Sequence, residues 1–264
     1  MTCDVEIDHV YCFVEDLDGS ALRLEALGFV TSYRREHHGQ GTANACFAFE
    51  NMYLELIAIS NAHEASHPDV ARLGLIARSR WRTRAACPFG MALRPSASVR
   101  DSDSPPEDND SDVPFATWTY APSFATASSP GSRFAIANDA DDVMQPMMFV
   151  ARGAIPPSQW PESRQNGLQQ RADVARITRV ELVLPLGVAP CPALQAIAAH
   201  TSLALRLGDG SAPGPTPCAT AGATAHDESL ASRGAAYACE LHLACADGRN
   251  AGIPHLPSLA WTAG

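Results

Sequence analysis

The sequence predicts an α+β fold built from repeated strand–helix–strand–strand–strand units. Three observations carry that reading. Residues 5–60 follow that element order, strand patterns resume from residue 86, and a shorter strand–helix–strand–strand series closes the chain after residue 176. With 264 residues, 46% of them hydrophobic, the chain can bury a sizeable core as one large domain or two small ones.

Residues 7–14 are β-branched and aromatic-rich and predict a strand. Asp16-Leu17-Asp18-Gly19 then turns into a helix that Asp18 can cap. Leu17, Ala21, Leu24 and Leu27 recur at helical spacing, and Gly28 stands where a helix-terminating glycine belongs. Residues 29–35 form the second strand, 37–42 a glycine-containing loop, and 43–49 and 52–59 two more strands joined by a tight turn at Glu50-Asn51. A helix is expected from Pro68 towards Arg80, and a short strand over 89–94.

Residues 95–113 are dominated by Ser, Asp and Pro and predict a disordered linker, too poor in apolar surface to offset the entropy of ordering. Structure resumes near Phe115, Trp118 and Tyr120, with short strands at 134–137 and 147–151. Residues 152–171 suit a surface connection. The C-terminal series places strands at 177–184, 203–207 and 237–244, a helix at 192–200, and a flexible loop at 211–234. One domain over 1–155, with modules at about 5–60 and 86–155, and a partial βαββ module within 173–264 are the expected organisation.

Net charge is −10, much of it from five Asp and one Glu between residues 101 and 112. No basic face for a nucleic acid is predicted. No apolar run reaches membrane-spanning length. The polar, acidic start lacks the pattern of a secretory leader, so a cytoplasmic chain is expected. The eight cysteines show no C-x-x-C pair, which argues against a finger-type zinc site and for buried thiols. There is no G-x-S-x-G elbow, P-loop or dinucleotide fingerprint.

Several motifs resemble glyoxalase-like proteins of the vicinal-oxygen-chelate superfamily. They are Ile7-Asp8-His9-Val10, Asp16-Leu17 entering the helix, Leu27-Gly28-Phe29 leaving it, the loop His38-Gly39-Gln40-Gly41-Thr42-Ala43-Asn44, and Tyr53-Leu54-Glu55-Leu56-Ile57. Cys87 to Arg94 and Pro146-Met147-Met148-Phe149 look like the opening and closing strands of a second module, and Val180-Glu181-Leu182 and Cys239-Glu240-Leu241 fall in the partial third. The resemblance implies paired βαβββ modules forming a cupped mixed sheet around a cleft. It also implies a divalent metal (zinc, nickel, iron or manganese) held by a first-strand histidine and a fourth-strand glutamate, here His9 and Glu55.

Strand alternation puts Ile7, His9, Tyr11 and Phe13 on one face, and sets Glu55 among Tyr53, Ile57 and Ile59. A glutamate there needs a partner or a cation. His9 and Glu55 are apt metal ligands; a mutually satisfied polar pair is the alternative. In the second module, Gly90 stands where a histidine is expected, and Met147 and Met148 where a glutamate is expected. Catalytic roles would fall to Glu55 and to His38 as a general base. Gln40, Thr42 and Asn44 are candidate ligand-binding groups, or simply hairpin residues. Trp118 and Tyr120 would be cleft walls or core. Arg72, Arg78, Arg80, Arg82 and Arg84 read as a solvated basic run, with capture of an anionic substrate as the alternative. The expected partner is a small molecule, in a possible homodimer with no nucleic acid or membrane. The expected role is a metal-assisted lyase, isomerase or dioxygenase on an oxygen-rich substrate, or else a non-catalytic ligand-binding or drug-sequestering protein.

Overall fold

The computed structural model describes residues 5–97, 113–122, 133–165, 168, 174–208 and 237–245. The expected linker falls largely outside these, as do the loop at 211–234 with His226-Asp227-Glu228, and everything beyond residue 245. Among the described residues no helix is long and apolar enough to cross a membrane.

Strand β1 (Val5–Phe13) leads into α1 (Leu17–Ala26), β2 (Tyr33–His37), β3 (Thr42–Ala48) and β4 (Tyr53–Ile59). Three short helices follow: α2 (Ala62–Ala65), α3 (Pro68–Ala71) and α4 (Leu75–Ser79). Then come β5 (Phe89–Pro95), β6 (Thr117–Tyr120), β7 (Phe134–Ala137) and β8 (Met147–Ala151). These eight strands form one sheet in the order β2-β3-β4-β1-β5-β8-β7-β6. β1 runs parallel to β4, and β5 runs parallel to β8. The two halves meet through the antiparallel β1–β5 pair, so they join within a single chain. A separate three-stranded sheet, β10-β9-β11, consists of β9 (Val174–Leu184), β10 (Leu203–Leu207) and β11 (Ala238–Cys245), with α5 (Pro192–His200) between β9 and β10.

Local details depart from expectation for physical reasons. Asp16, not Asp18, caps α1 by accepting from Gly19 N at 2.9 Å; Asp18 in the first turn pairs instead with Arg34 across to β2. The single helix expected over 68–80 is two pieces, α3 and α4, preceded by the separate short α2. The break falls at Gly74, whose φ of 66° lies in the left-handed region that a β-carbon disfavours. A bulge in the β1–β5 register between Ile7 and His9 adds a residue to β1. Ile7 therefore joins the core on the α1 side, with Val10 and Cys12, while Asp8 comes round to line the cleft beside His9.

One continuous core unites Ala21 and Leu24 of α1 with Met91, Leu93, Met148 and Val150, and with Ile177, Val180, Leu194 and Leu241 of the last unit. Asn51 fastens that unit to the main sheet, donating to the Ile177 carbonyl at 2.7 Å and accepting from its N–H at 3.1 Å. Cys12, Cys46 and Cys87 are buried thiols.

The basic run does not behave as one solvated face. Arg78 is fully buried and donates to the carbonyls of Gln145 (2.6 Å) and Ala140 (2.9 Å), tying α4 to the approach to β8. Arg72 grips Asp141 with two hydrogen bonds and stacks on Trp118. Arg82 pairs with Glu15. None of the five arginines lines the cleft described next.

Candidate functional site

The second hydrophobic cluster lies on the other face of the sheet, with Tyr11, Phe13, Ile57, Leu73, Leu75, Ile136 and Met147. There the sheet surrounds a cavity of about 740 Å³. That suits a drug-sized molecule, for which pockets run from about 300 to 1,000 Å³. Its two sides differ. His9, His37, Gln40, Asn44 and Glu55 from the first half are polar, whereas Phe134, Ile136, Met147 and Phe149 from the second half are apolar.

The polar side is a single chain of contacts. His9 Nδ1 meets Asp8 Oδ2 at 2.8 Å and Nε2 meets Glu55 Oε2 at 3.2 Å. Asn44 Nδ2 donates to Glu55 Oε1 at 2.6 Å and lies 3.4 Å from His37 Nε2. His37 Nδ1 contacts Thr42 Oγ1 at 2.9 Å, which also accepts from Gln40 Nε2 at 3.0 Å. Tyr120 Oη closes the series by donating to Gln40 Oε1 at 3.3 Å. At the other end Arg94, itself buried, donates to Asp8 at 2.8 Å, to Glu6 at 3.0 Å and to the Asn51 carbonyl at 2.6 Å.

Protonation follows from these contacts. Burial alone pulls the His9 pKa down, but the hydrogen bonds and charges of Asp8 and Glu55 outweigh it and carry the pKa up to about 9. His9 is thus an imidazolium at neutral pH, stacked on Tyr53 with ring centres 4.3 Å apart, where a cation is further favoured. Burial pushes the Glu55 carboxyl up; the His9 hydrogen bond and charge prevail and hold it below its usual value. His37 is lowered by burial, partly offset by Glu55, and is a neutral ring. The formal charges of the buried cluster balance, two basic side chains (His9 and Arg94) against two acidic ones (Asp8 and Glu55), as buried ions must if they are not to cost many kcal/mol.

Of the residues singled out in the sequence, His9, Gln40, Asn44, Glu55 and Tyr120 line the cavity. Thr42 is fully buried and supports Gln40 and His37 from behind. His38 is elsewhere. Strand β2 ends at His37, and the following turn throws the His38 side chain into solvent, 80% exposed, beside Glu36. Trp118 packs under Arg72 and is not part of the lining. Sequence reasoning gave no site role to Asp8, Tyr11 or Phe149, and weighed His37 only as a possible further metal ligand in the loop it shares with His38. Tyr11 shared a predicted face with His9, and that alternation was the available signal.

The donor set can be weighed against a metal. His9 Nε2 and Glu55 Oε2 are close enough to share a cation, but the second half offers no matching pair. A β-carbon on Gly90 would fall 2.1 Å from the Tyr11 ring, so that aromatic ring fills the space a second histidine would need. Met147 and Phe149 stand on β8. No group of three or more His, Cys, Asp or Glu suited to a metal occurs among the described residues. Two donors fall short of the four that a stable site of this kind uses, so the cleft does not fit a resident metal of the superfamily type.

Residues 7–102 match the sequence profile of the glyoxalase-like domain family. This chain carries a glyoxalase-like domain. The match spans β1 to β5 and so contains the whole polar side of the cleft. It bears out the glyoxalase-like resemblance read from the sequence over those residues. No curated protein sequence matches the chain. Among solved structures, it is similar to Streptomyces coelicolor methylmalonyl-CoA epimerase in complex with 2-nitronate-propionyl-CoA (16% identity, 56% of this chain and 97% of that one, TM-score 0.34). It is similar to the Mycobacterium tuberculosis methylmalonyl-CoA epimerase (15% identity, 56% and 88%, TM-score 0.32). A hypothetical protein from Staphylococcus aureus gives 14% identity over 68% of this chain and 69% of that one, with TM-score 0.35.

Proposed function

We propose that this glyoxalase-like protein binds a small, mostly apolar organic molecule in the cleft between its two sheet halves, and that holding the ligand, not metal-assisted turnover, is its activity. One observation carries the reading: His9 and Glu55, the candidate reactive groups of the cleft, are already spent on each other and on Asp8 and Asn44. Both ring nitrogens of His9 and both carboxylate oxygens of Glu55 have protein partners. A general base near neutrality needs a pKa close to the working pH, and neither Glu55, held low, nor His9, held high, has one. The apolar side supplies burial for a hydrocarbon or aromatic body, worth roughly 25 cal/mol per Å² covered.

Two measurements on the same protein test this. A thermal-shift screen of small aromatic and aliphatic compounds should find stabilising ligands, since a native-state ligand at one hundred times its Kd adds about 2.7 kcal/mol. Metal analysis of protein purified without chelator should give sub-stoichiometric metal, equal in wild type, His9→Ala and Glu55→Ala. One metal per chain, lost in both variants, would overturn the reading in favour of a metal-assisted lyase, isomerase or dioxygenase.

A further inference from the structure

We propose that the mouth of the cleft selects a ligand with an anionic head: Arg35 and Arg164 hold the carboxylate of an amphipathic organic acid whose apolar body lies inside. This rests on the ligand-binding reading above and names the class of its ligand.

The basic run between residues 72 and 84 stays out of the cleft, but three other arginines line it: Arg34, Arg35 and Arg164. All three are exposed, so they stand where the cavity opens to water. Arg34 is engaged elsewhere, in its pair with Asp18 of α1. Strand alternation gives Arg35 the face of β2 that also carries Tyr33 and His37, both in the cleft lining. Its register partner on β3 is Asn44, another lining residue. Its charge is felt inside: burial lowers the His37 pKa, Glu55 opposes that, and Arg35 lowers it further.

Arg164 arrives from the segment after β8. Its guanidinium lies over the Tyr33 ring, 5.8 Å from the ring centre, within cation–π range. The turn that carries it, Glu162–Arg164, is anchored by Trp160. The Trp160 ring packs edge-on against Tyr33 at 5.6 Å and Tyr53 at 5.5 Å. Gln165 donates to the Trp160 carbonyl at 2.7 Å and closes the turn. Arg35 and Arg164 therefore flank Tyr33 at the rim, one from each half of the domain.

The acidic side chains among the described lining residues are Asp8 and Glu55, and Arg94 and His9 already hold them. The rim is thus a positive patch on a chain of net charge −10. The guanidinium fork matches the two oxygens of a carboxylate. Inside, the wall of Phe134, Ile136, Met147 and Phe149 takes a hydrocarbon body but no charge. A head held at the wet rim and a body laid on that wall describe an amphipathic acid.

Calorimetry with two matched pairs tests this: 2-naphthoate against 2-naphthalenemethanol, and octanoate against octanol. At low salt the acid of a pair should bind about tenfold more tightly than its alcohol, the worth of two partly exposed ion pairs. Salt near 0.5 M should erase most of that advantage by screening. Arg35→Gln and Arg164→Gln should each weaken the acid about threefold and the double variant about tenfold, with the alcohol unchanged. Arg164→Gln alters only an exposed turn, so it tests the rim without touching a strand. Alcohols that bind wild type as tightly as their acids would overturn the proposal. So would an acid preference that survives in the double variant. In both cases alcohol binding leaves the ligand-binding reading standing; if none of the four probes binds wild type, that reading fails as well.

Discussion

Raising the pH from about 6 to about 9 should remove the stabilising contribution of His9. In the unfolded chain this ring titrates at 6.5, and in the fold at about 9. A group whose folded pKa lies above its unfolded one stabilises fully below the unfolded value and loses that effect as pH climbs through the folded one. At 1.36 kcal/mol per pH unit, the rise from 6.5 to about 9 is worth about 3 kcal/mol. That is a large share of a typical 5–15 kcal/mol fold. Denaturant unfolding at pH 6, 7, 8 and 9 measures it, with His9→Gln as the non-titrating reference. The reference is needed because the Cys12, Cys46 and Cys87 thiols are also raised by burial and erode stability as pH passes their unfolded value of 9.0. His37, lowered by burial, acts in the opposite sense and mainly below pH 6.5. The wild-type advantage over His9→Gln should therefore shrink by about 3 kcal/mol between pH 6 and pH 9. A constant advantage across that range would refute the bracketing of His9 by two carboxylates.

Glu55→Gln leaves Asp8 as the only carboxylate on His9 and should destabilise the fold by about 3 kcal/mol at neutral pH. In wild type the same pair weakens on acidification, because the Glu55 contribution is present above its unfolded value of 4.5 and lost as pH falls through the lower folded one; acid unfolding of wild type and variant should converge. Gly90→Ala drives a β-carbon to 2.1 Å from the Tyr11 ring and should cost about 2 kcal/mol. The cost should largely vanish in a Tyr11→Leu background, which a double-mutant cycle reads directly. Arg78→Leu strands the Gln145 and Ala140 carbonyls and should lower stability by at least about 3 kcal/mol. Asp16→Ala removes the α1 cap for about 1 kcal/mol, whereas Asp18→Ala, an exposed pair with Arg34, should cost only a few tenths of that.

The architecture was legible because its signals are local. Alternation in β1, β3 and β4, helical spacing in α1, and the proline that opens α5 each act over a few residues. The His9–Glu55 encounter was legible too, since both sit on cleft faces of strands that pair. Features set by distant pairing were not. Asp8 reaches the cleft through a bulge that exists only because β5 runs beside β1. Its cation, Arg94, lies 86 residues away. The two adjacent histidines of the β2–β3 hairpin look alike in sequence, yet the strand end turns His37 inward and His38 out. Arg78 lay in a run of arginines and read as solvated. Its burial follows from four backbone carbonyls that converge on it from other segments.

The proton count on His9 tests the account most directly. Nitrogen-15 NMR of histidine-labelled protein at pH 7.5 should show both His9 ring nitrogens protonated, with the ring releasing its proton only near pH 9, and no change on adding zinc or manganese. A neutral ring with one bare nitrogen at pH 7.5, or a resonance moved by stoichiometric metal, would contradict a closed, charge-paired cleft.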